Sequence, residues 1–174
     1  MNNVKRMFLF GLIAMLIVWS VVELTAVTAE TVCFEDYRWG QTLADTKNQL
    51  KNKNKNFNSM ESSLFYEDKI FGEPCNVILV FTPKSKLLAA IDVSWDTTSV
   101  GSGLKTLLTK KYGEPIQSNQ FIEKYYWLKF DSDSTPLILD YSFIKTSLNY
   151  YGEKYWKKYE QETQKITEKE INRF

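Results

Sequence analysis

Leu87-Leu88-Ala89-Ala90-Ile91-Asp92-Val93-Ser94-Trp95 is the stretch that decides the fold class. Leu87, Ala89, Ile91, Val93 and Trp95 recur at every second position, which places them together on one face of a β-strand. Just before it, Val77, Leu79 and Phe81 alternate in the same way, with Ile78 and Val80 on the other face. Pro83-Lys84-Ser85 supplies a hairpin turn between the two runs. Leu64 to Phe71 reads as a further strand, ended by Gly72-Glu73-Pro74. Strands joined by such short turns predict an antiparallel meander.

Working outward from the meander, Val32 to Trp39 reads as a short strand broken by Gly40. Thr42 then caps a helix carrying Leu43, Ala44 and Leu50, with Asp45 three residues on as a weaker relative of the capping box. The helix runs into the polar stretch Lys51-Asn52-Lys53-Asn54-Lys55-Asn56. Beyond the meander, Leu104, Leu107, Leu108 and Tyr112 share a helical face, closed by Gly113 and Pro115. Tyr126, Leu128 and Phe130 alternate on the next strand, Asp131-Ser132-Asp133-Ser134 turns, and Leu137, Leu139, Tyr141 and Phe143 return. Ser147 is placed to cap a last helix, with Leu148, Tyr151, Tyr155 and Tyr159 on one stripe. The expected architecture is α+β: an antiparallel five- to six-stranded sheet, helices on one face, and a C-terminal amphipathic helix. Residues 1–29 form a targeting segment, 30–146 the α+β domain, and 147–174 the C-terminal helix with a charged, solvent-exposed end.

Composition narrows the function classes. Hydrophobic residues make up 44% and aromatics 15% of the 174 residues, which calls for a folded core rather than disorder. Without residues 1–29 the chain carries 20 basic and 20 acidic side chains, and that balance argues against nucleic acid as a partner. Histidine is absent, which removes the commonest general base and the commonest zinc ligand.

The N-terminus carries an address. Lys5 and Arg6 precede an apolar run from Met7 to Val22, and Val27-Thr28-Ala29 offers small residues for a signal peptidase. Two readings stand: a signal peptide cleaved after Ala29, or an anchor retained over residues 7–29, in which Leu24 to Ala29 extend an apolar run that alone is short of the roughly 20 residues a spanning helix needs. Either way Lys5 and Arg6 stay in the cytoplasm and the domain is exported across the inner membrane, to the periplasm or outside the cell. In that oxidising setting the even cysteine count points to a Cys33–Cys75 disulfide, with two free thiols as the other reading.

Phe34-x-x-Tyr37-x-Trp39-Gly40-x-Thr42, Phe71-Gly72-x-Pro74 and Tyr112-Gly113-x-Pro115 together resemble a group of uncharacterised exported bacterial domains. These share a W-G-x-[ST] strand-to-helix opening and a Y-G-x-P helix ending, and the match spans most of residues 33–144. More distantly, helix followed by meander is similar to small outer-membrane assembly lipoproteins of the SmpA/BamE kind and to β-lactamase-inhibitor-like modules. The chain departs from the former in lacking a lipobox cysteine, since Glu30-Thr31-Val32 precedes Cys33. The resemblance implies a non-catalytic envelope domain and supplies no site residues or cofactor.

The residues themselves offer little chemistry. Gly101-Ser102-Gly103 lacks the nucleophile-elbow pattern and has no histidine to serve it. Asp131-x-Asp133-x-Thr135 lacks the glycine and glutamate of a calcium loop, Pro136 and Ser142 standing in their places. Lys47, Lys51, Lys53 and Lys55 read as a solvated basic strip. Asp92 and Asp140 fall out of phase with the apolar alternation of their strands, and are the one pair suited to acid–base work. The opposite sheet face, expected to carry Ile78, Val80, Leu88 and Tyr125, is apolar enough to accept an envelope protein partner or the C-terminal helix. The leading reading is a non-catalytic binding or interaction module of the cell envelope, with no metal or cofactor. A hydrolytic enzyme using Asp92 and Asp140, and a membrane-tethered structural protein, are the alternatives.

Overall fold

A computed structural model describes residues 32–34, 36–117, 123–127, 137–141 and 145–173; the side chains of 32–34, 117, 123 and 141 are not among those described. The targeting segment, the 131–136 turn, Leu128, Phe130 and Phe143 lie outside the described residues. Among the described residues, no helix is long and apolar enough to cross a membrane.

Two short strands open the domain as a separate antiparallel pair, β1 (Val32–Phe34) and β2 (Tyr37–Arg38). Helix α1 (Leu43–Asn52) follows. Thr42 caps it as expected: its hydroxyl oxygen accepts from the Asp45 amide at 3.1 Å and the hydroxyl donates to the Asp45 carboxylate at 2.6 Å. The main sheet then contains β3 (Phe57–Ser59), β4 (Ser63–Ile70), β5 (Glu73–Phe81), β6 (Leu88–Trp95), β7 (Ile116–Gln117), β8 (Glu123–Trp127), β9 (Leu137–Tyr141) and β10 (Thr146–Tyr151). Helix α2 (Ser99–Tyr112) separates β6 from β7, and α3 (Glu153–Ile171) closes the chain.

Among the described residues the sheet is antiparallel throughout and its order is β3-β4-β5-β6-β10-β9-β8-β7, eight strands rather than five or six. Two of the extra strands are two- or three-residue edge pieces, too short to show a period. The third changes the topology. Residues 146–151, of which 147 onward were expected to begin the last helix, form β10 and sit between β6 and β9. Thr146, Leu148 and Tyr150 face the inward side by the register to Trp95, Val93 and Ile91, and a strand bonded on both sides satisfies more backbone than a helix start would. The domain therefore continues through β10, and the C-terminal helix begins only after Gly152.

The core lies on one face of the sheet. Leu64, Tyr66, Val77, Leu79, Ile91, Val93, Trp95, Leu137, Leu139 and Leu148 point there, and Leu50 of α1 with Val100, Leu104 and Leu108 of α2 packs against them. Two phase assignments are corrected. A bulge between Val80 and Phe81 pairs Phe81 with Leu88, turning Leu88 into the core instead of the outer face. In β8 the inward residues are Tyr125 and Trp127, and Tyr126 faces out. Trp127 earns its inward place by bulk and by a partner for its indole, which donates to the Gly113 carbonyl at 2.9 Å.

Helix α3 packs on the sheet at β6. It docks by two close approaches between glycine and an aromatic ring. A Cβ on Gly40 would lie 2.3 Å from the Tyr155 ring, and one on Gly152 would lie 2.7 Å from Trp39. Gly40 also holds φ +78°, so two separate constraints require glycine there. Further along, Glu162 is buried against the β5–β6 turn, where its carboxylate accepts from the Lys84 amide at 2.6 Å, the Ser85 amide at 3.1 Å and the Ser85 hydroxyl. Tyr155, Tyr159, Glu162 and Ile166 form the partly or fully buried stripe, so Tyr155 and Tyr159 lie where helical spacing put them.

Candidate functional site

The face opposite the core carries the polar residues that the sequence singled out. Register pairs define one row across all eight strands: Asn58, Phe65, Ile78, Asp92, Asn149, Ile138, Tyr126 and Ile116. Asp92 lies near its centre, between Ile78 and Asn149. Tyr151, paired with Ala90, is the diagonal neighbour of Asp92 one row along. The strand alternation puts Asp92 on this face, but only β10 supplies Asn149 and Tyr151 beside it.

Asp92 is the unusual group. It is half-buried, and its Oδ1 is enclosed with no hydrogen-bond partner among the described residues. Burial pushes its carboxyl up, and the positive charge of Lys145 pulls it part of the way back. The Tyr151 phenol is also pushed up, first by burial and then by the negative charges it would share with Asp92 and Tyr126. Tyr151 meets Trp156 edge-on at 5.0 Å, and Trp156 stacks on Tyr159 at 4.9 Å, carrying the aromatic surface from the sheet onto α3. A carboxylate with an open acceptor, beside the Asn149 amide and the Tyr151 phenol, is suited to receiving a hydrogen-bond donor from outside the chain.

Asp140 shares the face with Asp92 but does not converge on it. It sits on β9 opposite Ser147 and Lys124, two strands away and two residues along, so the two Cα atoms are on the order of 12 Å apart by sheet spacing. Its carboxylate lies 3.8 Å from the Lys124 ammonium. That ion pair draws it away from Asp92 rather than toward a shared substrate.

The remaining sequence-predicted residues fall elsewhere. Cys75 is buried on the inward side of β5 opposite Asp68. There is no disulfide among the described residues, and the Cys33 side chain lies outside them. Ser102 is exposed on the first turn of α2, where its carbonyl accepts from the Thr106 hydroxyl at 3.0 Å. The lysine strip is partly engaged: Lys55 pairs with Asp68, and Lys53 lies 3.5 Å from Asp36 and over the Tyr37 ring. On α1, Lys51 is exposed and Lys47 half-buried. Among the described residues, no group of three carboxylate or cysteine side chains is placed to hold a metal ion.

Sequence reasoning missed Asn149, Tyr151 and Lys145 as neighbours of Asp92. The only signal for the first two was the alternation Thr146, Leu148, Tyr150, which the helical spacing of Leu148, Tyr151 and Tyr155 masked. Comparison with known proteins adds no relative: no family model matches the chain, nor does any curated protein or solved structure.

Proposed function

We propose that this is a non-catalytic binding module of the cell envelope that presents the outer face of its sheet to a partner. The observation that carries the reading is Asp92, a half-buried carboxylate beside Asn149 and Tyr151 whose Oδ1 has no hydrogen-bond partner among the described residues. Holding such a group costs the fold about 1–3 kcal/mol, a cost that an incoming donor offsets. The export signal read from Lys5, Arg6 and the apolar run places that face outside the cytoplasm, cleaved or anchored. The likeness to exported bacterial domains with a W-G-x-[ST] opening supports the same assignment, and the Cys33–Cys75 disulfide remains part of it. The hydrolytic alternative is weaker, because it needs Asp92 and Asp140 to converge and the Lys124 pair holds Asp140 apart.

The test is NMR of the isotope-labelled protein titrated with separated envelope fractions. Shifts should concentrate at Ile78, Asn149, Tyr151 and Tyr126, and vanish in Asp92→Asn. The variant should stay folded and melt higher than the parent at pH 7, since the raised carboxyl costs stability once pH exceeds its folded pKa. The gain should shrink as pH falls through the folded pKa and be gone below the unfolded value near 3.8. Shifts scattered over the surface, or unchanged in the variant, would overturn the reading.

A further inference from the structure

The β4–β5 hairpin turns through Phe71 and Gly72, flanked by the pair Ile70 and Glu73. Both turn residues have positive φ, +57° at Phe71 and +82° at Gly72, as a type I′ turn demands. Gly72 is suited to this. Phe71 is not: a bulky side chain in the left-handed region is strained, and asparagine, aspartate or glycine is the usual occupant. Nothing in the fold rewards the choice, because Phe71 is 61% exposed. A strained aromatic held in solvent at a hairpin tip points to a contact made outside the chain.

The tip borders a shallow open groove of about 340 Å³ lined by Phe71, Glu73, Val100, Gly103, Leu104 and Leu107. Leu107 is itself 50% exposed. A Cβ on Gly103 would meet nothing within 4 Å, so the groove is open there as well. One helical turn beyond Leu107 stand Lys110 and Lys111, both exposed, and Lys69 precedes the tip on β4. Lys110 and Lys111 thus stand beside two exposed apolar side chains, Lys111 reaching over the Tyr112 ring, while the alternation of β4 turns Lys69 to the outer face of the sheet with Phe65. Glu73 is the acid that lines the groove, and Glu114 follows the helix end.

We infer that Phe71 and Leu107 form a lipid-contact tip that inserts into an anionic membrane surface, with Lys110 and Lys111 pairing to its headgroups. The chemistry is that of peripheral binding: apolar side chains enter the interface while nearby lysines gain from the negative surface potential. The surface is separate from the Asp92 face, and does not depend on the reading proposed for it. It adds a membrane contact to any made by the N-terminal segment.

The test uses the full chain with 4-fluorophenylalanine at position 71, reconstituted in lipid nanodiscs. With a spin-labelled lipid present, the fluorine signal should broaden at least about five-fold more in anionic than in zwitterionic discs. The double variant Lys110→Glu/Lys111→Glu should remove that difference. No broadening, equal broadening in both lipids, or a concentration-dependent shift without lipid (which would identify a second copy of the chain as the occupant) would overturn the inference. Phe71→Asn provides an independent check, because it suits the turn. Its melting temperature should rise by a few degrees, and a fall would remove the strain on which the inference rests.

Discussion

Gly152 links the central strand β10 to α3, and replacing it by alanine tests how the helix is held. Its φ is −75°, so alanine meets no backbone strain there. The obstacle is Trp39. An alanine Cβ would sit 2.7 Å from Cδ2, 2.8 Å from Cε3 and 3.0 Å from Cγ of an indole only 2% exposed. One of the two must move, and overpacking of this kind costs about 1–3 kcal/mol. Alanine is also a poorer N-cap than glycine, adding roughly 0.5 kcal/mol, while the stiffer unfolded chain returns a similar amount. The net expectation is a loss of about 1–3 kcal/mol, or a melting temperature lower by about 4–10 °C for a domain of this size. Urea denaturation followed by tryptophan fluorescence measures it. Trp39→Ala should itself destabilise but removes Cγ, Cδ2 and Cε3, the atoms the new Cβ would meet, so the double variant should be at least about 1 kcal/mol more stable than the sum of the single effects. Additive effects, or a Gly152→Ala protein as stable as the parent, would show that Trp39 and Gly152 are not in contact.

Ending the chain after Lys145 removes β10 and leaves β6 and β9 without their shared neighbour, so circular dichroism should show no cooperative unfolding transition at all. Ending it after Thr163 keeps Tyr155, Tyr159 and Glu162, and the melting temperature should change little. Burial pulls the Glu162 carboxyl upward, but the Ser85 hydroxyl, the Lys84 and Ser85 amides and the Lys158 charge together hold it below its ordinary value. A depressed folded pKa means stability present above the unfolded value near 4.5 and lost as pH falls through the folded one. Glu162→Gln should therefore cost about 1–2 kcal/mol at pH 7, with the difference from the parent closing toward pH 3 in matched denaturation curves.

Much of the local structure is legible in the residues. The Thr42–Asp45 cap, the alternation of Val77–Phe81 and Ala89–Trp95, and the position of Asp92 and Asp140 opposite the apolar side all follow from short-range periods and turn chemistry. Steric and hydrogen-bonding rules of a few residues' range govern these features, so a few residues suffice to read them. The same rules left β10 ambiguous. Leu148, Tyr151, Tyr155 and Tyr159 satisfy a helical stripe, while Thr146, Leu148 and Tyr150 satisfy a strand. What separates the two is the vacancy between β6 and β9, a partner supplied from some 50 residues earlier in the chain.

By itself, then, the sequence determined an α+β domain, its antiparallel meander and which faces of that meander are apolar. Tertiary structure alone decided which strands are neighbours. A period of two assigns a side chain to a face and is silent about what lies across the hydrogen bonds. For that reason it could put Asp92 and Asp140 on one face and not reveal that Asn149 and Tyr151 stand beside the first while Lys124 holds the second. The bulge at Val80, the inward turn of Leu88 and the seating of Tyr155 on Gly40 have the same origin: each is set by packing between segments far apart in the chain.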